Sequence, residues 1–411
     1  MPGELDRRLG FTASVAIGLS SMIGAGVFVV FGPATAAAGD GLFVALALAA
    51  LIALCNAMSS ARLAARYPES GGTYVYGRER LGPFWGYLAG WAFVTGKIAS
   101  CAAMALAIGT YAWPGHAHVV AVTAVIALTA VNYRGVQRSA LAALVIVTII
   151  LGVLAAVVIA TLTGPATSAN TNTPTDARGI LEAAGLLFFA FAGYARLATL
   201  GEEVRNPSAT IPRAIISSLT ITIAVYALLA YSLQRTLGAA HLATASAPLT
   251  EAVSTAGSAG LEPFVRVGAV IAAAGALLAL LLGVSRTVLA MARDGHMPRG
   301  LDAIHSRFAV PHRAEVAVGV IVAVLAGSLD LGHAIGFSSF AVLIYYLIAN
   351  ISAWTLTAHW RDRSIPVLGG AGCLLLAFAL PMTSVVSGSF VLIAGMALWF
   401  IRPTHSKGPA S

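Results

Sequence analysis

The sequence predicts an all-α membrane protein with twelve transmembrane helices, from its composition, its apolar runs and the placement of its basic residues. Of its 411 residues, 58% are hydrophobic and only 10% are Asp, Glu, Lys or Arg, whereas a soluble domain carries about 25% charged residues. Twelve spans of about 20 to 25 residues leave room only for short loops and tails. A soluble globular protein is therefore excluded.

Apolar runs bounded by charged residues, proline or glycine mark the predicted spans. A run of about 20 apolar residues is long enough to cross a bilayer as a helix. The predicted spans cover residues 11–38, 42–65, 83–113, 118–133, 139–163, 179–200, 212–236, 259–291, 314–329, 333–356, 365–382 and 386–401. Residues 1–10 and 402–411 are then tails.

The basic residues test this count, because Lys and Arg are retained on the cytoplasmic side during insertion. With a cytoplasmic N-terminus, 19 of the 24 Lys and Arg residues fall on the inner face. Arg178, Arg235 and Arg266 fall outside, and Lys97 and Arg196 lie within spans. We therefore expect a multi-pass protein of the cytoplasmic membrane with both termini in the cytoplasm. The spread of basic residues also argues against a nucleic-acid partner, despite a formal charge of +8.

Acidic residues and histidines are missing from the middle of the predicted spans. None of the 16 acidic residues lies at mid-span, and the nine histidines fall in loops, at helix ends or in the C-terminal tail. Neither paired carboxylates nor a histidine metal cluster can therefore form in the membrane core. We predict no metal, no cofactor and no enzymatic activity.

Two predicted spans contain glycine near mid-membrane. Gly24 and Gly26 lie about 13 to 15 residues into the first span, and Gly193 lies about 14 residues into the sixth. Glycine weakens a helix, so we expect both spans to be broken. Spans 1 and 6 would then begin two five-helix repeats, residues 11–163 and 179–356, the second inverted relative to the first. Residues 365–401 would form two peripheral helices.

Such breaks favour a zwitterionic ligand. The N-terminus of a half-helix offers free N–H groups and a positive dipole end to a carboxylate, and unwound carbonyls accept hydrogen bonds from an ammonium. An α-amino acid supplies both groups. The alternative is that the glycines only allow close helix packing, and the matching depth of the two breaks favours the ligand site.

Four motifs follow one another along the chain. They are Ile-Gly-Ala-Gly-Val-Phe at 23–28, Tyr-Pro-Glu-Ser-Gly-Gly-Thr-Tyr-Val-Tyr at 67–76, Glu-Glu-Val-Arg-Asn-Pro at 202–207 with Ile-Pro-Arg at 211–213, and Ala-Arg-Asp-Gly-His-Met-Pro at 292–298 with Pro-His-Arg-Ala at 311–314. In this order, the chain resembles the amino acid-polyamine-organocation superfamily, in its prokaryotic amino acid permease branch. The resemblance implies ten core helices in two inverted repeats, and alternating access for amino acids or related amines.

The resemblance also implies a substrate site at the two breaks. The substrate carboxylate would meet backbone N–H groups, its amine would meet carbonyls, and an aromatic side chain would act as a lid. The N–H groups are those of Ala25, Gly26 and Val27, the carbonyls are those of Ile23, Phe189 and Ala192, and the lid is Phe189. Many relatives have an acidic residue where this chain has Ala195, so we expect a neutral or anionic amino acid rather than a cationic one.

The two basic residues within spans are candidate site residues. Lys97 lies about midway along the third span, at a position that resembles a polar substrate-facing one in the arginine–agmatine antiporter branch. A mid-bilayer ammonium usually faces a cavity or a partner, and the alternative is that Lys97 snorkels or ties two helices together. Arg196 lies near the cytoplasmic end of the sixth span, close enough to snorkel. Glu203 follows seven residues later, so the two are inner-gate candidates.

The coupling ion is constrained by missing residues. A sodium site would need side-chain oxygens, and residues 272–283 of the eighth span supply none. Some relatives use a lysine on the fifth span as proton carrier, but residues 139–163 contain none. Because burial disfavours the charged form of lysine, Lys97 is the proton-coupling candidate.

Together these features predict an amino acid permease in the lipid bilayer. The alternatives are an amino acid exchanger or a polyamine or organic amine transporter without ion coupling, and, more remotely, a channel. Channel pores usually need rings of identical elements, whereas breaks near mid-membrane suit one occluded site.

Overall fold

The computed structural model describes residues 9–67, 71–135, 140–166, 175–198, 203–308 and 310–401. Over these ranges the chain is helical and contains no strand beyond one isolated bridge between Leu9 and Val204. Most of the N-terminal tail, the whole C-terminal tail, and residues 68–70 and 202 of the sequence motifs lie outside the described residues.

The described chain forms seventeen α-helices. They are α1 (Phe11–Met22), α2 (Gly26–Val29), α3 (Phe31–Ala38), α4 (Leu42–Arg66), α5 (Thr73–Leu81), α6 (Pro83–Ala112), α7 (Ala117–Tyr133), α8 (Ala140–Thr163), α9 (Ala177–Phe191), α10 (Ala195–Ala198), α11 (Pro207–Thr244), α12 (Pro248–Thr255), α13 (Glu262–Arg293), α14 (His312–Ser328), α15 (Leu331–Trp354), α16 (Trp360–Ala379) and α17 (Met382–Ile401).

Within these ranges, eleven helical segments are long and apolar enough to cross a membrane, which confirms the all-α membrane class. The predicted ninth span, α14, is not among them. It has 17 residues and is about 26 Å long at 1.5 Å per residue, slightly shorter than a hydrocarbon core of about 30 Å. The count of twelve and the inverted repeats stay predictions.

The seventh predicted span begins five residues too late, and its end lies close to a kink in the helix at Gly238 (φ 71°, ψ 164°). The sequence predicted residues 212–236, because Arg213 and Arg235 bound the apolar run, but α11 covers Pro207–Thr244. Its N-terminus lies at Pro207, a residue suited to the first turn of a helix. Arg235 donates hydrogen bonds to the carbonyls of Thr161 and Gly164, at 2.6 and 3.3 Å. These bonds satisfy the Arg235 guanidinium at the end of the regular helix, just before the kink at Gly238. The short helices α5 and α12, between spans, were not predicted.

The break predicted in the first span is confirmed. α1 ends at Met22 and α2 begins at Gly26, with Ile23 at φ −85° and ψ 62°, outside the helical region. The sixth span is interrupted as well, because α9 ends at Phe191, a single 3₁₀ turn covers Ala192–Tyr194, and α10 follows.

The two breaks touch through their backbones. A methyl group built on Gly193 would lie 2.1 Å from the carbonyl oxygen of Ser21, and one built on Gly26 would lie 3.0 Å from the Cα atom of Ala190. Side chains cannot fit at such distances. Both glycines are therefore needed for α1 and α2 to pack against the end of α9.

Buried tyrosines satisfy carbonyl groups that the breaks expose. The Tyr226 hydroxyl of α11 lies 2.6 Å from the Met22 carbonyl oxygen and 3.2 Å from that of Ala190, and so contacts both broken spans. Tyr111 donates to the carbonyl of Phe28 at 2.7 Å, and Tyr346 lies 3.3 Å from that of Ala192. A buried carbonyl without a donor is costly, so these hydroxyls stabilise the non-helical backbone.

Replacing Tyr226 by phenylalanine should therefore destabilise the protein. The change keeps the ring but leaves two buried carbonyls with one donor fewer, at a cost of about 1–3 kcal/mol. We expect a lower melting temperature for purified Tyr226→Phe. The matched control is Tyr231→Phe on the same helix, because that side chain is 52% exposed. Equal melting temperatures for the two variants would contradict the role of Tyr226.

A methyl group at Gly193 should push the two breaks apart. We expect Gly193→Ala to lose at least about 1–3 kcal/mol through overpacking, seen as a lower melting temperature or a smaller monodisperse fraction on size-exclusion chromatography. Gly283→Ala is the control, since a methyl group at Gly283 meets nothing within 4 Å. If both variants match the wild type, the backbone contact at Gly193 is not needed.

Candidate functional site

A cavity of about 440 Å³ lies beside the two breaks. Its wall includes Ser20 and Ser21 of α1, Phe189 of α9 and the 3₁₀ residues Ala192 and Gly193. α6, α13 and α15 complete this part of the wall, and the cavity extends past it to the first described residue of the chain, Leu9. The predicted site region thus borders a space large enough for a small molecule.

The structure divides the predicted substrate-binding residues into two groups. Lys97, Phe189 and Ala192 line the cavity. The residues of the first break are buried and lie outside the cavity wall; they are Ile23, Ala25, Gly26 and Val27. Phe189 touches both groups, because its Cδ1 atom lies 3.5 Å from the position of a methyl group on Gly26. Ala276 of the cavity wall also lies near the break, with its Cβ atom 3.1 Å from the position of a methyl group on Gly24.

The first break leaves backbone donors without acceptors. Ile23, the residue after α1, donates its N–H to the Leu19 carbonyl at 2.7 Å. This is the last hydrogen bond in the helical pattern of α1. The N–H groups of Gly24, Ala25, Gly26 and Val27 make no backbone hydrogen bond to any described residue. Successive N–H groups of this kind at a helix start can bind an anion.

Lys97 brings an ammonium into the cavity. Its side chain extends from the middle of α6, is 7% exposed and lines the cavity. Among the residues that the structure describes, it forms neither a hydrogen bond nor an ion pair. The helix tie considered as the alternative has no such contact to support it, and the ammonium is placed to meet an anionic group in the cavity.

Basic residues outnumber acidic ones in the described cavity wall. Arg196, predicted for the inner gate, lies close to both Arg286 and Glu203, and all three line the cavity together with Lys97. Three cations and one carboxylate give this wall a net positive charge. The described residues contain no group of three or more His, Cys, Asp and Glu side chains that would hold a metal.

Sequence reasoning missed Arg286 as a cavity residue. It lies five residues before the end of the predicted eighth span, near the same depth from the inner face as Arg196 in the sixth. This matching depth could have marked Arg286 as a candidate cavity residue. What the sequence could not show is that Arg196 of α10 and Arg286 of α13 line one cavity and lie close to each other.

Two of the sequence motifs meet at the edge of the cavity. Tyr74 of α5 lines the cavity, and its hydroxyl donates to Asp294 at 2.5 Å and lies 2.8 Å from His296 Nδ1. Arg78 pairs with the same carboxylate at 3.2 Å. Burial, reinforced by Asp294, raises the pKa of the Tyr74 hydroxyl well above its usual range, so it remains a neutral donor. These contacts hold α5 against the C-terminal end of α13.

Comparison with known proteins gives the family. A family model described as amino acid permease matches residues 9–410. An uncharacterized transporter of Mycobacterium tuberculosis is 60% identical over 407 residues, covering 98% of this chain and 92% of the relative. The branched-chain amino acid permease BcaP of Bacillus subtilis is 26% identical, covering 98% of this chain and 95% of the relative.

A plant relative has a different named substrate. The cationic amino acid transporter 7, chloroplastic, of Arabidopsis thaliana is 28% identical, covering 84% of this chain and 65% of the relative. The names of these relatives agree on transport and differ on the substrate. The match across nearly the whole chain shows that this protein is a multi-pass membrane transporter and belongs to the amino acid permease family of the amino acid-polyamine-organocation superfamily.

Proposed function

We propose that this protein is a secondary active transporter that moves a neutral or anionic amino acid across the cytoplasmic membrane by alternating access, with both termini in the cytoplasm. One observation carries the proposal. Four unused N–H groups lie at the first break, and the Lys97 ammonium lies in the neighbouring cavity. The N–H groups and Lys97 can each bind a carboxylate. Because both lie at or beside one cavity, they favour a substrate with at least one carboxylate.

The first break and Phe189 would act together during binding. In the proposed bound state, the α-carboxylate accepts hydrogen bonds from Ala25, Gly26 and Val27, and the amine donates to carbonyls of Ile23, Phe189 and Ala192. The Phe189 ring lies 3.5 Å from where a methyl group on Gly26 would be, so the ring has to move for a carboxylate to reach these N–H groups. Phe189 is therefore the proposed lid between the cavity and the break.

Alternating access requires one end of the site to be closed while the other is open. The cavity extends from the breaks toward Leu9, at the predicted cytoplasmic end. On the opposite side, Tyr111 bonds Phe28, and a methyl group on Gly32 would lie 2.9 Å from the Ala245 carbonyl oxygen. These contacts support an inward-facing conformation. Arg196 and Glu203, at the cavity's inner part, are the proposed inner gate.

The charge of the cavity supports the substrate class. Lys97, Arg196 and Arg286 face one carboxylate, that of Glu203, and Ala195 stands where many relatives have an acid. An additional cation in this wall would lack a partner, and an unpaired buried charge is strongly unfavourable. The branched-chain substrate named for one relative fits this reasoning, whereas the cationic substrate named for another does not.

A thermal-shift screen of the purified protein against amino acids and polyamines should therefore select neutral or anionic amino acids. A ligand that binds only the folded state stabilises the protein, by about 2.7 kcal/mol when the ligand concentration is 100 times the Kd. The melting temperature rises accordingly. We expect little shift with lysine, arginine or putrescine. Selective stabilisation of the protein by arginine or putrescine, together with their uptake, would contradict the proposed substrate class. Single-channel conductance would indicate a channel instead.

We further propose that Lys97 links substrate occupancy to pH, as the proton-coupling residue of the binding site. Loss of its proton would remove the cation that faces an anionic group of the substrate. Lys97→Ala should then keep the fold but flatten the pH profile of uptake into proteoliposomes. For an anionic substrate, losing a charged hydrogen bond of about 1.5–3 kcal/mol should also weaken binding by about tenfold or more.

Lys97→Arg is the matched variant, because a guanidinium keeps its proton at all relevant pH values. We expect it to restore part of the affinity for an anionic substrate without restoring the pH dependence. A well-folded Lys97→Ala protein with wild-type affinity and an unaltered pH profile would exclude both roles. Loss of folded protein in this variant alone would indicate a structural tie.

A further inference from the structure

A buried carboxyl group lies between α13 and α14, next to the cavity. The sequence predicted that no acidic residue lies at mid-span. Glu315 belongs to the first turn of α14 and is 1% exposed. It was missed because it is only the second residue of the predicted span 314–329, where a carboxylate would ordinarily reach water. Packing of α14 against α7 and α13 instead buries it.

Two polar side chains approach this carboxyl among the described residues, those of Ser285 and Asn132. Ser285 of α13 lies 2.5 Å from Glu315 Oε2, and the same hydroxyl lies 3.1 Å from the carbonyl oxygen of Leu282. Glu315 Oε1 is buried and has no donor. The Asn132 side chain of α7 lies next to this carboxyl. Its Nδ2 donates to Leu278 at 3.0 Å, while its Oδ1 is also buried without a donor.

If Glu315 is ionised, Ser285 gives its hydrogen to Oε2, and the buried Oε1 of the charged group has no donor among the described residues. Ser285 has one hydroxyl hydrogen, yet two acceptors, Glu315 Oε2 and the Leu282 carbonyl, lie within reach of its oxygen. If Oε2 carries a proton, Glu315 donates to Ser285 and Ser285 donates to Leu282. Each short contact then contains one hydrogen, and no unpaired charge is buried.

The charged and titratable groups around Glu315 leave it without a direct counter-ion. α13 contributes Arg286, and α6 contributes Cys101, one helical turn beyond Lys97. α7 contributes Asn132, which does not titrate, and the Tyr133 ring packs against His312 on α14 itself. Within the described ranges, none of these groups forms an ion pair with the carboxyl. Arg286 is nonetheless near enough to favour the ionised form if the cluster opens.

The cluster borders the cavity. Asn132, Leu278, Leu282 and Arg286 all line the cavity wall, whereas Glu315 and Ser285 lie behind it. A small separation of α13 from α14 would break the Ser285 contact and expose the carboxyl to the cavity. The proton would then pass from the carboxyl oxygen to cavity water, and the carboxylate left behind would face Arg286.

We propose that Glu315, with Ser285 and Asn132, forms a proton-binding site that is occupied in this conformation and is emptied into the cavity when α13 moves away from α14. The first half of this proposal is independent of transport. The second half rests on the proposed transport function. In the proposed function Lys97 carries its proton at the substrate, whereas Glu315 would bind a separate proton away from the substrate and act on the closure of two helices.

The occupied state is tested by infrared difference spectroscopy on the full chain in lipid nanodiscs. Wild type minus Glu315→Gln at pH 6 should show the carbonyl stretch of a protonated carboxylic acid, which shifts in heavy water. Wild type minus Glu262→Gln is the control, because Glu262 is a partly exposed carboxylate at the start of α13. A carboxylate band at pH 6 in the Glu315 difference spectrum would overturn the proposal.

The release step is tested in proteoliposomes with the amino acid that gives the largest thermal shift. The amide of Glu315→Gln has a donor and an acceptor, like a neutral acid, so substrate exchange should stay within about twofold of wild type. Accumulation driven by an inward proton gradient should be lost. Loss of exchange in a well-folded Glu315→Gln protein would show that a carboxylate is required, and unchanged gradient-driven accumulation would overturn the release step.

Failure of the proposed function has a separate signature. If no amino acid stabilises the wild type, and the wild type exchanges none, the transport proposal fails. The infrared test of the Glu315 proton does not depend on that outcome. If sodium drives accumulation in place of protons, and Glu315→Gln removes that response, the site binds sodium and the proton assignment is overturned. Ser285→Ala should reproduce the loss of proton-driven accumulation, because it removes the hydroxyl that holds the acid to α13.

Discussion

The direct backbone contact between the two broken spans is the constraint on which the rest of the site depends. The Ser21 carbonyl lies where a side chain on Gly193 would have to be, and Gly26 lies against Ala190. A continuous helix could not place these backbones so close together with their polar groups satisfied. The breaks therefore require outside hydrogen-bond partners, and the tyrosines of α6, α11 and α15 supply hydroxyls to the exposed carbonyls.

The tyrosines satisfy carbonyl groups and leave N–H groups unused. A hydroxyl from α11 contacts both spans at once, so the relative position of the two breaks is held from one side. The N–H groups from Gly24 to Val27 remain without backbone acceptors in the described chain. A carboxylate is the complementary ligand for such a set, so the contrast between satisfied carbonyls and unused donors supports the proposed substrate site.

α13 contacts three parts of the molecule that the proposed transport cycle involves. It lines the cavity with small and apolar residues, carries Arg286 and Ser285, and holds Asp294 against Tyr74 at its C-terminal end. Arg286 faces the cavity, Ser285 faces α14, and Asp294 faces α5. Because one continuous helix makes all three contacts, the proposed shift of α13 would change the cavity wall, the Glu315 environment and the inner edge together.

The sequence alone determined the membrane class, most of the span positions, the glycine positions of both breaks and the isolated lysine of α6. Each of these depends on local composition or spacing, which chain order records directly. The sequence did not determine that Tyr226 contacts both breaks, that Arg286 joins Arg196 in the cavity, or that Glu315 is buried. These features depend on which helix faces lie opposite each other, and residues 30 or more positions apart in the chain come together only when helices pack. The tertiary structure therefore decided which polar groups have partners and which remain available for a substrate or a proton.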